Sequence, residues 1–205
     1  MRATTIITIA GIIGSGKTTL FNKIKTYIGE EDYHFIDEYI PDDIPNFYQE
    51  VLKNNKPKVA YEIQMRLLYH RFNQLFYALH ETDKNIICDG GIWLDRAYAR
   101  SLHHQGYMTD NELEAYSILQ RSMQNYLYTT PTHHIIYVGT PIKYCLENIA
   151  TRGRDNEILI TEKYLTELQN ALSCFVDRDY YSTIHKYSCT TDIKSILKVI
   201  GENDE

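Results

Sequence analysis

Residues 11–18 read Gly-Ile-Ile-Gly-Ser-Gly-Lys-Thr, the full spacing G-x-x-x-x-G-K-[ST] of a loop that wraps phosphate groups. Gly11, Gly14 and Gly16 let the backbone curl until successive N–H groups point inward at phosphate oxygens. Lys17 would bridge the β- and γ-phosphates, and the Thr18 hydroxyl would hold Mg²⁺. Ser15 and Thr19 complete the expected set of nucleotide-binding residues. Acids follow at two later points. Glu38, after Phe35-Ile36-Asp37, could accept a proton from an attacking hydroxyl, and Asp89, closing the run Asn85–Asp89, could hold Mg²⁺ directly or through water. Either acid alone also fits a solvated strand end; the joint placement beside a phosphate loop favours chemistry.

Basic and amide groups supply the rest. Arg152 and Arg154 flank Gly153 between two expected helices and suit a mobile lid, because a guanidinium fork binds phosphate oxygens in two places and stays charged. A solvated basic turn is the competing explanation. Gln64 and Arg71 lie seven residues apart in a long helical pattern and so share a face. A glutamine amide pairs a donor with an acceptor, as the edge of a nucleobase requires, although on these residues alone a surface glutamine and a helix-surface arginine are the more ordinary explanation.

The elements that must position these groups follow from periodicity. Thr4–Ala10 is a β-branched apolar run and reads as a buried strand; apolar residues at Leu20, Phe21, Ile24 and Ile28 mark a helix over 17–28. A helix N-terminus after the glycine loop adds partial positive charge where phosphate would lie. Further strands are predicted at 33–37, 85–89, 133–138 and 183–188. Helices are predicted at 46–54, 58–82, 92–105, 110–128, 141–151, 161–180 and 192–200, with a basic loop at 152–157. Strands alternating with helices imply an α/β chain with a five-stranded parallel sheet and helices on both faces. Ligands on such sheets bind at the carboxyl ends of the strands, where Gly11–Lys17, Asp37–Glu38 and Asp89 all fall.

Composition narrows the class. The 205 residues suffice for one domain, expected to span 1–205 with the lid at about 152–157; 43% are hydrophobic and 23% charged, ordinary for a globular protein. A net charge of −6 argues against a nucleic-acid partner. No segment reaches the roughly 18 apolar residues of a membrane helix, so no membrane partner is expected. Cys88, Cys145, Cys174 and Cys189 are widely spaced and without C-x-x-C, which favours free thiols in a reducing, cytoplasmic setting. His103-His104 and His133-His134 are adjacent pairs whose side chains diverge, so a shared metal is not expected. Trp93 is a candidate for the wall of an acceptor pocket, and the stripe Leu113, Tyr116, Leu119, Met123, Leu127 is either core or a dimer face.

Taken together, these residues resemble the deoxynucleoside kinases of the deoxycytidine, deoxyguanosine and deoxyadenosine kinase type, over about residues 5 to 200. The specific matches are Glu38, Gln64, Arg71, Asp89, Asp95 followed by Arg96, the run Arg152-Gly153-Arg154 with Glu157, and Tyr164-Leu165. The resemblance implies a P-loop nucleoside kinase fold, ATP and Mg²⁺ as cofactors, a deoxynucleoside substrate and a homodimer built through helices. It implies Glu38 as general base, Gln64 on the base edge, Arg71 and Asp95 lining the base pocket, and Arg152 and Arg154 on the transferring phosphoryl group. Glu157 resembles an acid that contacts the sugar 3′-hydroxyl. The Arg71–Asp95 pair leans away from thymidine. Two departures stand out. The family's Arg after the strand-three acid is replaced by Gly90-Gly91, and its sugar-contacting Tyr has Lys53 and Asn54 nearby instead, with Tyr48 further back. Asn54 could bond a 3′-hydroxyl. A nucleoside monophosphate kinase and a non-catalytic member of the fold are the competing expectations.

Overall fold

The computed structural model describes residues 4–127, 132–177, 182–188 and 192–201. Five strands, β1 (Thr5–Ala10), β2 (Tyr33–Ile36), β3 (Asn85–Asp89), β4 (Thr132–Val138) and β5 (Thr183–Tyr187), form one parallel sheet in the order β2-β3-β1-β4-β5. The helices are α1 (Lys17–Ile28), α2 (Val59–Glu81), α3 (Ile92–His104), α4 (Asp110–Leu127), α5 (Ile142–Arg152), α6 (Glu162–Val176) and α7 (Ile193–Leu197).

Side chains alternate across the pleat, and both sheet faces are buried. Ile7, Ile9, Ile87 and Ile136 pack under α1 and α7, against Phe21, Ile24 and Ile196. Ile6, Ile86 and Cys88 meet α2, α3 and α4 on the opposite face, while Ala10 and Ile135 meet α5 and α6 there. Register then does the positioning. Ile9 lies opposite Asp89, and Ile36 opposite Cys88, so the chain leaves β1, β2 and β3 at nearly one level. The phosphate loop, Asp37–Glu38 and Asp89 emerge side by side as a consequence.

The differences from the predicted elements are local. Residues 46–54 do not form an α-helix: Tyr48–Lys53 is a π-helical segment, closed by Asn54 N–H donating to Gln49 O at 2.9 Å. Pro45 and Pro57 bound it and prevent extension into a longer helix. The wide turn buries Val51 while Phe47 packs tilted and Tyr48 edge-on against Tyr164, with ring centroids 6.2 and 6.4 Å away. Nor is 152–157 simply a loop, since Arg152 ends α5 and Asp155–Glu157 is a 3₁₀ turn. Helix α6 is described to Val176, and the predicted residues 178–180 lie outside the described residues. Trp93 is not a pocket wall but core, edge-on to Phe175 at 4.8 Å between α3 and α6. In α4, Tyr116 and Leu127 are buried and Leu113 and Met123 pack against the same core, whereas Leu119 is exposed, so the stripe is mostly core.

Cys88, Cys145 and Cys174 are free thiols, and Cys189 lies outside the described residues. Among the described residues no helix is long and apolar enough to cross a membrane, and no group of three or more His, Cys, Asp and Glu could hold a metal ion. The histidine pair of β4 splits as strand geometry demands. His134 stacks on His185, while His133 is buried between the Thr8 hydroxyl at 2.9 Å and the Ser182 hydroxyl at 2.8 Å.

Burial, reinforced by His134, pushes His133 down to about 3. The folded protein therefore holds a neutral ring that the unfolded chain would protonate near its ordinary value of 6.5. Stability is retained above that pH and falls as pH drops from it towards the folded value. The expected loss from this group is about 1.4 kcal/mol per pH unit. Urea unfolding at pH about 7.5, 6 and 5 checks it: wild type should lose stability more steeply than His133→Gln.

Candidate functional site

Local backbone shape builds the phosphate loop. Gly14 and Gly16 have φ of +76° and +96°, values that favour glycine. A Cβ at Gly14 would also sit 2.4 Å from the carbonyl oxygen of Cys145, so the loop is packed directly onto α5. Two further bonds pin it there. Asn148 donates from α5 to Gly14 O at 2.8 Å, and the buried Thr140 hydroxyl donates to Ser15 O at 2.7 Å. Neither residue is in the G-x-x-x-x-G-K-[ST] pattern, and only their packing reveals them.

Lys17 is buried and donates from Nζ to Ile12 O at 3.1 Å, across the mouth of its own loop. Thr18 donates from its hydroxyl to Asp89 Oδ2 at 2.5 Å. Burial raises the Asp89 carboxyl above its ordinary value; the Thr18 bond and Lys17 oppose that, and Glu38 and Asp37 add to it. Its other oxygen, Oδ1, is buried without a hydrogen-bond partner. A half-satisfied carboxyl next to a hydroxyl offers the oxygen donors a hard divalent cation requires. These residues therefore fit Mg²⁺.

The loop opens into a cleft of about 1380 Å³. Gly14 to Thr19 form its floor, Glu38, Tyr48 and Tyr98 one side, and Arg152 and Glu157 the lid side. Burial raises the phenols of Tyr48 and Tyr98, which stay neutral donors near neutral pH. Glu157 is 7% exposed and takes Arg152 at 2.6 Å and Arg154 at 3.4 Å. Both lid arginines thus lean on one buried acid. A second, small cavity lies behind Glu38, between Asp37, Arg71, Asp89 and Gly91. There Arg71 pairs with Asp95 through Nη1 and reaches Glu38 Oε1 at 3.3 Å through Nη2.

The structure brings most of the expected residues to this cleft or its rear wall. Gln64 is buried on α2 with its Oε1 unpartnered, and does not line the cleft. Asn54 does not line the cleft either; its amide donates to Glu50 on the exposed side at 3.1 Å. Tyr48 holds the cleft position instead, because the π-helical turn rotates it inward. Tyr98 carried no signal in the sequence: only the packing of α3 beneath the cleft selects it.

A family model described as deoxynucleoside kinase matches residues 7–204. The chain belongs to the deoxynucleoside kinase family. Among curated relatives it is 27% identical to a deoxyadenosine kinase of Dictyostelium discoideum over 172 residues, 84% of this chain and 66% of that protein. It is also 25% identical to the mitochondrial NADH dehydrogenase [ubiquinone] 1 alpha subcomplex subunit 10 of Bos taurus over 187 residues, 81% of this chain and 53% of the relative. The chain thus spans less than two thirds of the length of these two relatives. Among solved structures, a deoxyadenosine kinase from M. mycoides superposes with a TM-score of 0.76 at 23% identity, covering 96% of this chain and 97% of that one. That likeness shows the P-loop kinase fold.

Within this family member, the Gly90-Gly91 turn is a backbone feature as well as an absent side chain. The two residues have φ of +80° and +122°. Arg96 does not stand in for the absent arginine, because its guanidinium lies over the Phe175 ring at 5.6 Å. An Arg at position 90 would meet Glu38 Oε1 at ordinary contact distance from its Cβ, but on a left-handed backbone. Gly90→Arg is expected to cost about 1–2 kcal/mol of stability, readable as a lowered urea midpoint. An unchanged midpoint would show that the turn relaxes freely.

Proposed function

We propose that the protein is an ATP-dependent deoxynucleoside 5′-kinase, built as one P-loop kinase domain with its lid at about 152–157. One observation carries this reading: a phosphate loop and the acid Glu38 border one cleft, and Thr18 of that loop bonds Asp89 just behind it, a pair fit for Mg²⁺. Donor phosphates would lie on the N–H groups of Gly14 to Thr19, with Lys17 leaving Ile12 O to meet them. Thr18 and Asp89 would hold Mg²⁺, which supplies charge neutralisation at the phosphate oxygens.

Glu38 removes the proton of the acceptor 5′-hydroxyl as its oxygen bonds the γ-phosphorus. The bond from that phosphorus to the β–γ bridging oxygen breaks, and ADP departs. Arg152 and Arg154 exchange Glu157 for the transferring group, spreading its charge, and Glu157 turns to the sugar 3′-hydroxyl. Tyr48, not Asn54, is the better-placed side chain for the sugar. Arg71, held by Asp95, would read the base from the rear cavity, which supports purine deoxynucleosides or deoxycytidine over thymidine; Gln64 would join it only where α2 opens its buried amide to the ligand. A homodimer through helices belongs to the same reading; the exposed Tyr77 and Tyr126 beside the stacked Phe76–Tyr126 rings support it. A cytoplasmic location, in keeping with the free thiols, belongs to it as well. The net charge of −6 speaks against a nucleic-acid partner.

A second reading, a non-catalytic member of the fold, is favoured by Gly90-Gly91 and by the likeness to the bovine NADH dehydrogenase subunit. Phosphoryl transfer from ATP·Mg²⁺ to each deoxynucleoside, and to each monophosphate, separates the two. Expected is transfer to deoxyadenosine, deoxyguanosine or deoxycytidine, reduced about 10²-fold or more by Glu38→Ala and by Lys17→Ala. ATP binding by a folded protein without transfer to any acceptor would instead select the non-catalytic reading. Transfer only to monophosphates would select a nucleoside monophosphate kinase.

A further inference from the structure

Glu38 Oε1 is the meeting point of two routes for a positive charge. A Cβ at Gly90 would face that oxygen from 3.9 Å, so a long basic side chain at position 90 would have approached it from the turn after β3. Gly90 has none. The same oxygen instead accepts from Arg71 Nη2 at 3.3 Å, while Nη1 of the same guanidinium bonds Asp95. One fork therefore joins the segment after β2 to α2 and α3.

We propose that Arg71 is a positioning residue for Glu38, supplying from α2 the cation that Gly90 cannot, and that it couples the acceptor's base pocket to the reacting carboxylate. The kinetic part of this proposal rests on the kinase reading above; the clamp itself rests on geometry. Three carboxylates, Asp37, Glu38 and Asp89, converge around the small rear cavity, and Arg71 is the cation lining it. Like charges so placed repel one another, and a fixed cation holds Glu38 in one orientation. The clamp is fixed because Asp95 is fully buried, with side-chain exposure of 0%. Withdrawing Arg71 would strand that carboxylate without a counter-charge. A planar fork aims fixed N–H donors at two carboxylates at once, a geometry that an ammonium on the flexible stem of a lysine does not pre-set. A base that engages Arg71 then also adjusts Glu38, so base identity is read in turnover as well as in affinity.

The test is a split between kcat and KM, paired with a measurement that needs no turnover. At saturating deoxynucleoside, Arg71→Gln and Arg71→Lys are each expected to lower kcat about 10²-fold, the scale of a misplaced reacting group. The double variant Arg71→Gln/Asp95→Asn keeps a neutral pair of similar shape and guards against unfolding; it should show the same loss. A raised KM with unchanged kcat in the folded double variant would confine Arg71 to the base pocket and overturn the proposal. In parallel, ¹⁵N side-chain NMR of Arg71 is compared between wild type and Glu38→Gln without nucleotide. Shifted, faster-exchanging Nη signals in the variant are expected; unchanged signals would overturn the clamp. Responsive signals in a wild type that transfers no phosphate would support the clamp and refute the kinase reading. Unchanged signals in an active wild type would do the reverse.

Discussion

Asp89 is a carboxylate withdrawn from water with only one of its oxygens satisfied. A group in that condition is costly unless something completes it, and its neighbours are arranged around that need. Thr18 donates to one oxygen, Lys17 lies close enough to oppose the effect of burial, and the unpartnered oxygen matches the demand of a divalent cation. The sheet is what forces the meeting. Parallel register sets Ile9 opposite Asp89, so the loop that follows β1 cannot avoid the acid that ends β3.

Charge is held in reserve throughout the cleft. Lys17 rests on a backbone carbonyl of its own loop, and both lid arginines rest on Glu157. Each of these partners is weaker competition for a cation than a polyphosphate, which offers several ionised oxygens at once. Glu157 is the most constrained of them, since a buried acid released by two arginines must find new hydrogen bonds. In the kinase reading proposed above, an incoming sugar hydroxyl would answer that requirement, and closure over the cleft would depend on phosphate on one side and sugar on the other.

The Gly90-Gly91 turn shifts the work of charge placement from one element to another. In left-handed geometry the chain leaves β3 without a side chain to direct at Glu38, and α2 takes over that contact. Helix α2 is well suited to it. Its buried face packs against α3 and α4, and Arg71 reaches out from that face at the level of the strand ends. The site is thereby tied to the helical layer more than a turn-borne arginine would require.

Sequence alone determined much of this protein, because the relevant forces are local. The phosphate loop follows from glycine spacing, the five parallel strands from short apolar runs alternating with helical periods, and Glu38, Asp89 and Arg71 from their places at element ends or on a helix face, while Asp95 entered only through the family resemblance. Long-range packing decided the rest. Asn54 and Tyr48 compete for one role, and only the π-helical turn between Pro45 and Pro57 sends the tyrosine inward and leaves the asparagine on Glu50. Trp93 reads as a pocket residue beside Asp89, yet helix α3 rotates it away onto Phe175. Tyr98, Asn148 and Thr140 have no motif, and their importance arises from contacts across more than a hundred residues or between separate helices. The contact of Arg71 with Glu38 is of the same kind: spacing along a chain cannot say which of two carboxylates a guanidinium will join, and the fold lets it hold both.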